Sequence, residues 1–294
     1  MIVKNITILT ISLFFLSAVN AFADIVFVAN VDGNWDLFTV DDEGRNPVQL
    51  TDTPYDEKDP AWCSDRKKIV YATTDGYLNF IDTVTRERHQ IAVDEKSTPK
   101  VCPCFSPDGK QIAYAQFRSP EFGDDTDLMI FNLETKAMRR VLDQYALQMW
   151  PDWSPDGRRL VYTSAHCSGD CGRMIQELWI ADPEGGWARQ LLLTNSFCQQ
   201  PAWSPDGRRI AFSSDRSGDF DIWLISLEDW RLKQITEDKS LDVSPAWSTD
   251  GKRIAFVSTR SGKMEIWIKE LESGKLRRLR PFGERDVECR DVAW

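Results

Sequence analysis

Only two histidines, His89 and His166, occur in the chain, too few for a Ser-His-Asp relay or a histidine-rich metal centre to be assembled readily. His166 opens the run His-Cys-Ser-Gly-Asp-Cys, which crowds His166, Cys167, Asp170 and Cys171 together. A zinc site would want a further, well-spaced ligand outside so short a loop. Cys167 and Cys171 could instead close a local disulfide, which is the expectation adopted for this loop. Asp215, Asp219 and Asp221 have the oxygen-rich look of a calcium loop. They lack the distal bidentate Glu of such a loop, so a plain hairpin turn is expected. The 46 Asp and Glu leave many carboxylate pairs open to acid–base work, yet no spacing singles one out. No catalytic residue, metal or cofactor is therefore assigned.

The pieces that carry these groups repeat. Pro201–Trp223 reads PAWSPDGRRIAFSSDRSGDFDIW, and Pro245–Trp267 reads PAWSTDGKRIAFVSTRSGKMEIW. Further copies start at Pro60, Pro103 and Pro151, and the chain ends on Asp-Val-Ala-Trp, a copy barely begun. The anchor aromatics are Trp62, Phe105, Trp153, Trp203, Trp247 and Trp294, between 43 and 50 residues apart. That period marks a four-stranded propeller blade. Ser-Pro-Asp-Gly suits a type I turn, with Pro at its second position and Gly at its fourth. The segments that follow are β-branched and aromatic, and none has a helical pattern. The stretch from Asp24 matches a second strand, so it and the C-terminal copy complete one blade together. The fold class is all-β: a six-bladed propeller of antiparallel four-stranded blades, closed by pairing of its N- and C-terminal strands.

Residues 1–23 read differently. Lys4 is their one charge, Ile6 to Val19 is largely apolar, and Ala21-Phe22-Ala23 has the small-x-small pattern of a cleavage site. The domain expectation is a secretory signal over 1–23 and the propeller over 24–294. The apolar run is short for a span, so no direct membrane insertion is expected. The net charge of −10 repels nucleic acid and anionic lipid. Seven Cys in an exported chain leave at least one thiol unpaired.

The recurring P-x-W-S-P-D-G-[RK]-x-[IL]-[AV]-[FY], followed by [DE]-[IL]-W, resembles the propeller repeats of the TolB family of the Tol–Pal envelope system. Related repeats occur in peptidase propellers and sugar-acid lyases. The resemblance implies a periplasmic, non-enzymatic, monomeric propeller that docks a cell-envelope protein or lipoprotein. It departs from the family in one respect: TolB carries an α/β domain ahead of its propeller, whereas here the propeller is expected to follow the signal directly.

What differs between copies is where a partner would be read. The loops from a fourth strand to the next first strand gather at one channel mouth, and carry Tyr55, Asp56, Glu57, Tyr145, Trp150, Phe197, Gln199, Asp242, Phe282 and Arg290. Aromatic and acidic residues together suit a Lys- or Arg-bearing protein. They also suit a saccharide, and a carbohydrate-active enzyme or saccharide-binding propeller is the alternative. The repeated aromatics and the acid before each third strand (Asp36, Asp127, Glu177, Asp221 and Glu265, with Asn79 in one copy) are read as scaffold.

Overall fold

The computed structural model describes residues 25–91, 98–119, 125–167 and 174–294. The expected signal segment and the Cys167–Cys171 pairing lie outside the described residues. Among the described residues, 24 strands form six four-stranded antiparallel sheets and there is no helix. The innermost strands of blades 2 to 6 are Glu57–Trp62, Lys100–Phe105, Leu147–Trp153, Cys198–Trp203 and Asp242–Trp247. Blade 1 takes its innermost strand, Cys289–Ala293, from the far end of the chain and pairs it with Ile25–Val31. Each innermost strand packs on the next, and the sixth returns to the first. The molecule is a closed six-bladed ring.

Burial on both faces explains the run of apolar residues in each second strand, such as Ile25–Ala29 and Arg209–Ser214, where alternation would otherwise appear. Each interface between blades holds an apolar cluster, and that between blades 3 and 4 holds two. Val161, Leu178 and Ile180 of blade 4 meet Trp203, Ile210 and Phe212 of blade 5. At the interface that follows blade 1, Val26, Val28 and Leu37 meet Ile69, Tyr71 and Ile81 of blade 2. The anchor aromatics pack on the preceding blade, and an arginine of that blade covers the outer ring face in three cases. Arg159 lies 4.8 Å from the Trp203 centroid, Arg209 4.7 Å from Trp247, and Arg253 4.6 Å from Trp294.

The Ser-Pro-Asp-Gly turns close as their sequence predicts. Ser204 Oγ donates to Asp206 Oδ1 (2.5 Å), the Gly207 N–H donates to Ser204 O (2.8 Å), and Gly207 takes φ +69°. Those hydrogen bonds hold the carboxyl groups of Asp108, Asp156, Asp206 and Asp250 below their ordinary range.

Strand alternation sorts the connections onto two faces. The turns between first and second and between third and fourth strands form a turn face. The remaining loops form a loop face. Among the described residues, carboxylates outnumber cations more strongly on the loop face than on the turn face, so the acidic excess is greater at one end of the channel.

Candidate functional site

Every innermost strand carries a β-bulge, seen as a register shift against its second strand in all six blades. The bulged residues are Asp59, Cys102, Trp150, Gln200, Ser244 and Asp291, all left-handed with φ between 48° and 54°. Their side chains and backbones interlock around the channel. The Asp59 N–H donates to Asp291 Oδ2 (3.4 Å), and the Cys102 N–H donates to Asp59 Oδ2 (3.0 Å). The Ser244 N–H donates to Gln200 Oε1 (2.8 Å), and Gln200 Nε2 donates back to Ser244 Oγ (2.8 Å). These bonds tie neighbouring blades together and divide the channel into a loop-side mouth and a turn-side cavity.

At the loop-side mouth, Tyr145 is 88% exposed and lies under Arg118, whose guanidinium carbon is 4.4 Å from the ring centroid. Tyr55 is 47% exposed. Asp56 accepts the Trp35 N–H (3.3 Å), while its own N–H donates to Thr74 Oγ1. Arg290 stacks over Trp35 at 4.2 Å and donates to Glu57 O, and half-buried Gln199 reaches Gln176 at 3.4 Å. The half-buried Phe197 is held through its N–H to Asp215 Oδ1 (2.8 Å). That bond spends one carboxylate of the calcium-like run. Asp221 is spent on Ser217, Gln234 and Thr236.

Four residues expected at this mouth sit elsewhere. Glu57 and Asp242 are fully buried, because each begins an innermost strand and turns between blades instead of ending a loop. Asp242 pairs there with Arg260 Nη2 at 2.7 Å. Phe282 packs edge-on against Phe38 (5.1 Å) and Phe27 (6.1 Å), since its loop folds back over the interface between blades 6 and 1. Trp150 lies at the waist and lines the turn-side cavity. Two of the acids before the third strands reach beyond their own turns: Glu177 accepts the Thr194 and Asn195 N–H groups and Gln190, and Glu265, besides Ser261 of its own turn, binds Arg278.

Glu57 has a consequence for stability. It meets Asp36 across the seam between blades 1 and 2, with Thr51 Oγ1 3.0 Å from Glu57 Oε2 and 3.4 Å from Asp36 Oδ1. Burial pushes the Glu57 carboxyl up to about 7 from 4.5, with Asp36 adding repulsion, and burial raises Asp36 as well. The fold therefore holds a proton that the unfolded chain releases near pH 4.5. Stability falls as pH rises through that window to about 7 and stays lower above it, by about 3 kcal/mol for this group. Denaturant melts at pH 5 and pH 8 check it: Glu57→Gln should remove that part of the difference and raise the midpoint at pH 8.

The turn-side cavity encloses about 450 Å³ between the bulge ring and the first-to-second-strand turns. Indoles of Trp62, Trp203, Trp247 and Trp294 alternate with the repeated prolines in its wall, and Asp59, Asp152 and Asp291 enter it. Asp152 Oδ2 accepts the Trp203 N–H at 2.7 Å. Burial lifts Asp152 to about 7, and burial with the charge of Asp59 lifts Asp291 to about 7. Residue types alone did not disclose this ring of bulges. The one recurring sign is the proline that follows five of its six members.

A sequence model of the TolB beta propeller domain family matches residues 20–170 and 172–290. The chain is 34% identical over 117 residues to the Tol-Pal system protein TolB of Francisella tularensis subsp. mediasiatica, a stretch covering 36% of this chain and 25% of that protein. It is 32% identical over 96 residues to the Tol-Pal system protein TolB of Alcanivorax borkumensis, covering 33% of this chain and 19% of that one. The matched stretches thus span about a quarter or less of those relatives. The crystal structure of TolB from Acinetobacter baumannii superposes with a TM-score of 0.80 at 22% identity, over 93% of this chain and 67% of that chain. An oligogalacturonate lyase in complex with manganese superposes with a TM-score of 0.61 at 16% identity, over 87% of this chain and 73% of that chain. At such identities the likeness is one of fold.

Proposed function

The chain belongs to the TolB beta propeller domain family, and from that premise we propose that it is an exported, non-enzymatic docking protein of the cell envelope, acting after loss of residues 1–23. Its partner is an envelope protein or lipoprotein that presents lysine and arginine to the loop face. The observation that carries this reading is the union of exposed aromatics with the greater excess of carboxylate on that one face. Tyr55 and Tyr145 supply rigid area, Asp52 and Asp143 stand exposed beside them, and half-buried Asp56, Phe197, Gln199 and Arg290 fill the mouth. Aromatic anchors give most of the affinity in such an interface, and surrounding charge speeds encounter with an oppositely charged partner.

The test places photo-cross-linking residues at Tyr55 and Tyr145, and at Arg208 on the turn face as control, in cells that export the chain. A discrete envelope protein should be captured from the loop positions and not from Arg208. Reversing the charge of Asp52 and Asp143 should slow its association about tenfold at low salt. Capture that is equal from both faces, or absent from the loop face, would overturn the reading.

A further inference from the structure

The turn-side cavity lies across the bulge ring from the mouth just discussed, and docking at that mouth leaves its contents unexplained. At about 450 Å³ it has the size of a small-molecule site. Its lining is unusual in combining indole faces and prolines with three carboxylates, Asp59, Asp152 and Asp291. One cation, Arg66, stands at the rim and stacks on Trp62 at 5.2 Å. Asp59 and Asp291 are held side by side by the ring itself, through the bond from the Asp59 N–H to Asp291 Oδ2. Both sit on left-handed bulges, and turning either carboxylate away would give up the N–H hydrogen bond it accepts from the neighbouring blade. Trp150, the bulge residue of blade 4, adds an indole to the same cavity and packs against Val101, Cys102 and Met149.

Carboxylates in a box with π-faced walls complement a compact positive charge that also carries apolar surface. A hard inorganic ion is a poorer match, since it calls for six to eight oxygens and the indoles and prolines offer few. Among the described residues no group of three or more His, Cys, Asp or Glu is placed to hold a metal. We propose that the turn-side cavity binds a small organic cation, an alkyl- or arylammonium compound, with its charge at Asp59 and Asp291 and its apolar part against Trp150 and the anchor indoles. Arg290 Nε lies 3.6 Å from Asp291 Oδ2 and offsets part of its charge, and burial raises the carboxyl groups of Asp152 and Asp291 to about 7. The proposal stands apart from docking at the loop face.

Titration calorimetry of the full chain at pH 8 tests it, with benzylammonium as probe and benzyl alcohol as its uncharged analogue. Asp59→Asn with Asp291→Asn removes the charge and keeps the ring, because Asn tolerates the left-handed region and its amide oxygen can still accept the next N–H. Saturable one-to-one binding of benzylammonium is expected, at least tenfold weaker for the alcohol and at least tenfold weaker in the double variant. Reversing Asp52 and Asp143 on the loop face should leave it unchanged. Failure of the wild-type chain to bind, equal binding of the alcohol, or wild-type affinity in a folded double variant would each overturn the proposal. Should the double variant not fold, the comparison of amine and alcohol on the wild-type chain decides alone.

Discussion

Deleting Cys289–Trp294 is expected to abolish the cooperative fold, although the missing piece is one short strand. Blade 1 would lose its innermost member and the ring would open between blades 6 and 2. Ile25 and Phe27, both fully buried in the cluster they share with the deleted strand, lose their cover, and Cys289 and Val292 leave the core. At about 1.5–3 kcal/mol for each fully buried apolar side chain, the loss is about 6–12 kcal/mol. A whole domain is typically stable by about 5–15 kcal/mol, so little or nothing remains. The strand Ile25–Val31 would also be left as an uncovered hydrophobic edge, a template for aggregation. Circular dichroism and sedimentation of the truncated chain check this. A sharp thermal transition near that of the intact protein, in a monomeric truncated chain, would show that closure matters far less than argued.

Trp203→Ala should cost about 3–5 kcal/mol, the range for removing a buried aromatic from a core. The indole is only 6% exposed and sits between Val161, Leu178 and Ile180 of one blade and Ile210 and Phe212 of the next. Its loss also leaves the Arg159 guanidinium without the ring beneath it. The hydrogen bond to Asp152 Oδ2 is donated by the backbone N–H of Trp203 and survives, so the rest of the inner strand should keep its place. A fall in melting temperature of roughly ten degrees is expected for a chain of this size. Trp150→Ala makes the contrast. Trp150 is half-exposed to the channel, so its removal should destabilise by much less. Chemical melts of the two variants side by side test the ranking; an equal or larger loss for Trp150→Ala would reverse it.

The repeat made the architecture legible because each blade must solve the same packing problem with the same residues. An anchor aromatic and a doubly buried second strand recur wherever one blade meets the next, and three blades join them by a Ser-Pro-Asp-Gly turn. The split of blade 1 between the two termini was legible for the same reason, since half a repeat stands at each end. The interior of the channel was not. Its bulge residues are Asp, Cys, Trp, Gln, Ser and Asp, which share no chemistry for a pattern to catch. Five precede proline, a setting that favours extended backbone in isolation, yet in the closed ring all six are left-handed. Loop residues were legible only where the loop stands clear of the blades. Tyr55 and Tyr145 do so, whereas Glu57 and Asp242 lie one step inside a strand and Phe282 follows its loop back over the interface between blades 6 and 1.

The lopsided placement of carboxylates gives the ring an electric axis that runs along its pore. Near an anionic bilayer such a body feels a torque before it touches anything, turning the less acidic end toward the lipid and the more acidic end outward. At about 0.1 M salt this orientation is felt only within roughly 10 Å of the surface. Over that short range the pore would stand upright, with its acidic rim presented to whatever approaches from the aqueous side.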